Sequence, residues 1–199
     1  QEAFEAARDQ VEAMGMTLAG VTTHKPTDQD FTPQLTRLRA ASCDLIVAGV
    51  IVRDAIVPYS AARKMGWTGV DFLGTLASYD RSVAGAEGGV TEGFYAMAVI
   101  PMPDRTGGTP AMLEWMDRYR QRYGEDPNVG SLYGWQAMFL TFEAFRRAGP
   151  EVTSASLVAA LEQIDELLEP VSGTRVSFSA TRHQGANTSF LSQVRGGRW

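Results

Sequence analysis

The chain has 199 residues, 44% of them hydrophobic and 21% charged, and a net charge of −5. That is the composition of an ordinary globular protein long enough to bury a real core. It excludes a basic nucleic-acid footprint, no apolar run approaches the length of a membrane-spanning helix, and the single Cys43 cannot form an internal disulfide.

In chain order, Phe4, Ala7, Val11 and Met14 share one helical face, and Gly15 supplies the stop. Leu18 to Val21 reads as a short strand. Thr32 reads as a helix N-cap with Pro33 in the first turn, and Leu35, Leu38 and Ala41 continue that helix towards Leu45. Leu45 to Ile51 is a continuous apolar run of the kind buried on both faces of a parallel sheet. It feeds a helix from Asp54 to Met65 that stops at Gly66. Phe72-Leu73-Gly74 and the run Phe94 to Ile100 repeat the apolar theme. Strand and helix alternate, and the first helix has no strand ahead of it. The expected fold class is therefore α/β with a doubly wound parallel sheet.

Composition shifts after Ile100. Pro101-Met102-Pro103 and the stretch Thr106 to Pro110 form a linker that cannot be an interior helix or strand. Three helices are expected next. Ala111–Tyr123 buries Met112, Met116, Tyr119 and Tyr123. Leu132–Ala148 carries Trp135, Phe139, Phe142 and Phe145, and Ser154–Leu168 carries Leu157, Leu161 and Ile164. Strands are expected at Arg175–Phe178 and Phe190–Arg195. The three helices have little sheet of their own to cover, so they read as the outer layer of a second sheet whose strands lie outside this sequence.

Little here points to catalysis. The turn Gly85 to Gly89 has neither the strand nor the lysine of a phosphate loop, and there is no nucleophile elbow. His24 and His183 lie far apart with no second ligand at metal spacing. Catalytic residues, metal ligands and cofactors are therefore all expected to be none. Glu162, Asp165, Glu166 and Glu169 read as a solvated helix face, and the aromatic stripe from Trp135 to Phe145 as core packing. Glu92, opening a strand beside Gly93, reads as a carboxylate that accepts backbone N–H bonds. In open α/β sheets ligands sit beyond the carboxyl ends of strands, which directs attention to Ile51 and to the residues after Gly74. Arg53 stands beside the first of these. Its guanidinium is placed to meet an anion, although a solvated arginine near a helix start is the plainer reading.

The order of motifs carries a family resemblance. It runs through Asp30-Phe31-Thr32-Pro33, Cys43-Asp44-Leu45-Ile46-Val47, Ala62-Arg63-Lys64-Met65-Gly66 and Thr91-Glu92-Gly93. It continues through Tyr133-Gly134-Trp135-Gln136-Ala137, Ala148-Gly149, Val176-Ser177-Phe178 and His183-Gln184-Gly185 to Val194-Arg195-Gly196-Gly197-Arg198-Trp199. Spaced this way over essentially the whole chain, they resemble the C-terminal part of a type I periplasmic binding protein of the branched-chain amino acid (Leu/Ile/Val) receptor group, which serves ABC importers. The resemblance implies two α/β lobes joined by three crossovers, with ligand held between them. It makes 1–100 a second-lobe α/β domain lacking its first strand and 101–110 a hinge or linker. It makes 111–180 the helices and strand returning to the first lobe, and 181–199 the final crossover and second-lobe strand. The chain is thus expected to be a fragment, with the first-lobe sheet and its Ser/Thr-rich ligand loops outside it.

The resemblance also implies a periplasmic location, a signal peptide in the precursor, a small-molecule solute and a membrane permease as partners, and neither nucleic acid nor enzymatic activity. Helices cut off from their sheet predict self-association of the fragment. The candidate ligand-binding residues are Ile51, Arg53, Thr75, Leu76, Ala77 and Tyr133. Two of them depart from the Leu/Ile/Val receptors. Ile51 stands where those receptors carry a tyrosine, and Leu76 stands where they carry the glutamate that pairs with the ligand's ammonium group. An ammonium buried against Leu76 lacks its partner, which disfavours a simple α-amino acid and favours an aromatic or other organic carboxylate. The alternative is a ligand-sensing domain of a regulator or receptor with the same fold. An enzyme on a doubly wound fold ranks last, because the strand ends read Val50-Ile51-Val52 and Thr75-Leu76-Ala77.

Overall fold

The computed structural model describes residues 2–199, with side chains from residue 4. It divides into two compact units, Gln1–Ala98 with Phe190–Trp199, and Val99–Ser189.

The first unit contains α1 (Glu2–Ala13), α2 (Thr32–Ala40), β1 (Leu45–Ala48), α3 (Val52–Lys64), β2 (Asp71–Gly74), α4 (Arg81–Ala84), β3 (Tyr95–Ala98) and, from the end of the chain, β6 (Phe190–Gln193). The sheet order is β1-β2-β3-β6. β1, β2 and β3 run parallel, with Ile46 opposite Phe72 and Leu73 opposite Tyr95. β6 closes the edge antiparallel to β3, Ala96 facing Ser192. The expected parallel sheet is thus a mixed one.

One face of this sheet is sealed by α3. Tyr59 is buried with its ring edge-on to Phe72 at 5.1 Å and to Phe94 at 5.4 Å. Its hydroxyl donates to the Glu92 carbonyl at 2.6 Å and accepts from Arg63 Nη2 at 3.0 Å. Arg63 also donates to the carbonyls of Trp67 and Val70, so it closes the turn after α3 while stacking 4.4 Å from the Tyr59 ring. The Glu92 carboxylate accepts from Gly196 N–H at 2.9 Å, as expected from its place before Gly93. At the chain end, Trp199 Nε1 donates to the Asp80 carbonyl at 2.7 Å and its ring lies 5.0 Å from Tyr79.

Three local readings are corrected here. The run from Leu45, expected to be buried on both faces of the sheet, leaves Leu45 and Val47 exposed on β1, an edge strand. Leu18–Val21 is not a strand, and among the described residues no backbone hydrogen bond joins it to β1. A strand exists only through its ladder, and apolar character alone cannot supply the neighbour. Thr32 is the first residue of α2 rather than its cap; the cap position is Phe31, and Asp30 Oδ1 accepts from Thr32 N–H at 2.9 Å.

The second unit holds α5 (Pro110–Tyr123), α6 (Val129–Ala148), α7 (Ser154–Glu162), and the short antiparallel pair β4 (Leu167–Leu168) and β5 (Arg175–Val176). Each helix starts on a side-chain cap: Thr109 for α5, and reciprocal Asn128–Ser131 and Thr153–Ser156 capping boxes for α6 and α7. α5 ends on Gly124 at φ 80°, the left-handed geometry that glycine adopts without strain. The core is Ile100, Met112, Trp115, Met116, Leu132 and Val171.

Further readings are corrected in this unit. Tyr123, expected to be buried, is exposed at the end of α5. The helix expected to run to Leu168 stops at Glu162, and the chain turns into β4. The acidic residues after it therefore do not form a solvated helix face. Glu169 is completely buried, and its carboxylate accepts from Trp135 Nε1 and Val171 N–H at 2.8 Å and from Ser172 N–H at 2.7 Å. Three donors replace water around the charge, which is what lets a carboxylate lie inside. The aromatic stripe on α6 is only partly core: Trp135 packs against the cluster, whereas Met138, Phe142 and Phe145 are exposed, Phe142 by 65%.

Candidate functional site

Parallel β1 and β2 release their chains at the same end of the sheet, so the residues after Ala48 and after Gly74 become neighbours. Thr75 N–H donates to the Ala48 carbonyl at 3.2 Å, extending the ladder one step past β2. Ile51 then occupies the N-cap of α3 in extended conformation and offers no side-chain cap, unlike the polar residues that usually fill that position. Its side chain is free to point away from the helix, and Ile51 is 63% exposed. On the second strand end, Leu76–Ser78 forms a single 3₁₀ turn in which Ser78 N–H donates to the Thr75 carbonyl at 2.9 Å. This turn presents Leu76, 41% exposed, and Ala77, also exposed. Thr75 is half-buried.

Arg53 lies in the first turn of α3, and its guanidinium is already engaged. It pairs with Asp54 Oδ1, while Asp54 Oδ2 lies 3.1 Å from His24 Nε2. The Asp54 side chain is only 6% exposed, whereas Arg53 is 44% exposed. An anion reaching Arg53 must share it with Asp54. The same pairing removes Asp54 as a free counter-ion for a cation. Sequence reasoning singled out neither the His24–Asp54 contact nor Asp54 itself. The available signal was an aspartate in the first turn of a helix, where the dipole favours negative charge.

Tyr133 sits in the second unit on α6, half-buried against that unit's core. Ile51, Arg53, Thr75, Leu76 and Ala77 are therefore gathered at one end of one sheet, and Tyr133 belongs to the other unit. A separate cavity of about 300 Å³ runs along the open edge of β1, between Thr22, His24, Gln34 and Leu35 on one side and Ile46 to Val50 on the other. It includes none of Ile51, Thr75, Leu76 or Ala77. Among the described residues there is no cluster of three metal-ligating side chains and no helix long and apolar enough to cross a membrane.

Two neighbouring strand ends thus each carry an exposed aliphatic side chain, Ile51 and Leu76. A family model described as "Periplasmic binding protein" matches residues 1–198. The chain belongs to the periplasmic binding protein family. A curated relative, Leu/Ile/Val-binding protein homolog 8 of Brucella abortus (strain 2308), is 23% identical over 164 residues, covering 79% of this chain and 40% of the relative. A branched-chain amino acid ABC transporter protein from Thermus thermophilus, solved with bound valine, superposes with a TM-score of 0.83 at 20% identity, over 96% of this chain and 53% of that one. A solute binding protein of an ABC transporter from R. palustris, solved in complex with benzoate, gives 0.74 at 18% identity, over 96% and 51%. These structures share the fold. The chain spans less than half the length of the curated relative and about half that of the solved ones.

Proposed function

We propose that this periplasmic binding protein is the extracytoplasmic solute-binding component of an ABC importer, and that its ligand is an aromatic or other small organic carboxylate rather than a simple α-amino acid. One observation carries this reading: the ends of β1 and β2 present Ile51 and Leu76, and Asp54, in the first turn of the helix after Ile51, is committed to Arg53 and His24. An ammonium group desolvated against these residues lacks a counter-ion, a loss of about 3–5 kcal/mol, or roughly two to three and a half orders of magnitude in affinity. An apolar ring gains instead. Full burial of a Leu or Ile side chain is worth about 1.5–3 kcal/mol, so covering the exposed 41% of Leu76 and 63% of Ile51 contributes roughly 2 kcal/mol. The two ligands in the solved relatives, valine and benzoate, fall on either side of this division. The protein acts by binding and releasing solute to a membrane permease, with no chemical step. Isothermal titration of the full-length protein with benzoate, phenylacetate, leucine and valine tests the assignment. Heat is expected for the aromatic acids and none for the amino acids. Tight leucine binding with no response to aromatic acids overturns it.

A further inference from the structure

Ser78 is completely buried and lies off the ligand-facing surface, yet it touches both loops of the proposed site. Its hydroxyl donates to the Val50 carbonyl at 3.1 Å, the peptide immediately before Ile51. The same side chain stands directly over Gly74. A Cβ on Gly74 would lie 2.6 Å from Ser78 Oγ, 2.7 Å from Ser78 Cβ and 2.9 Å from Phe94 Cζ. The missing side chain at position 74 is thus the space that Ser78 fills, and it lets the Leu76–Ser78 turn fold back over the end of β2. Backbone bonds hold the turn to its own strand, through Ser78 N–H on the Thr75 carbonyl. The hydroxyl is what reaches across to the neighbouring loop.

The geometry points to Ser78 as a positioning residue that fixes the spacing between Ile51 and Leu76, and therefore the size of ring the site accepts, with Gly74 as the vacancy that admits it. This rests on the reading of the strand ends as the ligand floor. Ile51 has no cap bond of its own, so the Val50 carbonyl is where its loop is held from the side. Without the hydroxyl, the Val50 carbonyl loses a buried donor, and the two loops relax independently. A wider, softer floor follows, which small rings fill less well and bulky rings tolerate better.

The test uses the full-length protein with Ser78→Ala and Ser78→Cys, benzoate and 4-tert-butylbenzoate as probes, and backbone amide hydrogen exchange. Losing one buried hydrogen bond predicts that Ser78→Ala shifts the ratio of the two dissociation constants by about fivefold towards the bulky acid, with Ser78→Cys between it and the parent. A purely structural role lowers the melting temperature but changes both affinities by one factor, and that result overturns the inference. Exchange supplies a readout that needs no ligand. The Ala55 amide, bonded to the Ile51 carbonyl, and the Thr75 amide, bonded to the Ala48 carbonyl, are both expected to exchange faster in Ser78→Ala. Faster exchange confined to the Leu76–Asp80 turn overturns the tie. Failure of the parent protein to bind either acid refutes the ligand assignment, and the exchange result then decides the role of Ser78 alone.

Discussion

Replacing Leu76 by glutamate reverses the feature on which the proposed ligand choice rests. Leu76 is 41% exposed at the first position of a one-turn 3₁₀ segment, so a carboxylate there keeps much of its hydration in the free protein and the fold tolerates it. Leucine, whose ammonium would meet Glu at about 4 Å, gains roughly 4 kcal/mol of attraction at an effective dielectric near 20. Desolvation of both groups returns part of this, leaving about 2 kcal/mol, a gain near 30-fold. An aromatic acid loses the aliphatic contact, about 1 kcal/mol for the exposed part of Leu76, which weakens it about fivefold. The assay is parallel isothermal titration of the parent and Leu76→Glu proteins with leucine and benzoate. The preference is expected to swing by roughly two orders of magnitude. Equal changes for both ligands, or none, would show that Leu76 does not face the ligand.

Other consequences concern stability and association. Glu169→Gln turns an amide N–H₂ towards one of the three donors that surround the carboxylate; a cost of about 2–4 kcal/mol is expected in urea unfolding, and a loss under 0.5 kcal/mol contradicts the buried-anchor assignment. The hydrogen bonds from Arg146, then Arg147, push the Glu143 carboxyl down to about 2. This group is harder to protonate in the folded chain than in the unfolded one. Its stabilisation is therefore complete above the ordinary carboxylate value near 4.5, shrinks as pH falls, and is gone below about 2. The stability difference between the parent and Glu143→Gln is expected to close over that window in acid titrations; a gap independent of pH contradicts it. Finally, the exposed Met138, Phe142 and Phe145 on α6 predict concentration-dependent association of the 199-residue chain by light scattering, relieved by Phe142→Glu. A monomer at high concentration refutes this.

Where neighbours in sequence decide the structure, the residues announce it. The apolar runs at Leu45 and Phe94, and the helix stop at Gly66, act within a few positions of themselves, whereas the Asn128 cap that starts α6 at Val129 rather than Leu132 went unread. The strand ends bearing Ile51 and Leu76 were legible for the same reason, because parallel strands deliver their loops to one end of the sheet. What escaped was set by partners distant in sequence. Leu18–Val21 has the residues of a strand and no adjacent ladder. Glu169 is buried because Trp135, 34 residues earlier, points its indole N–H at it. Asp54 is occupied by His24, 30 residues away. Ser78 matters because it meets Val50 across two loops. No local pattern encodes such pairings.

The central claim is that Ile51 and Leu76 form an apolar floor beneath the bound solute. Methyl-resolved NMR of the full-length protein, labelled at isoleucine and leucine and titrated with benzoate, tests it most directly. Ring-current shifts centred on the methyls of Ile51 and Leu76, with Ile46, Leu35 and Leu38 unmoved, are the expected result. Shifts confined to Ile46, Leu35 and Leu38, beside the cavity along β1, with Ile51 and Leu76 silent, would contradict it.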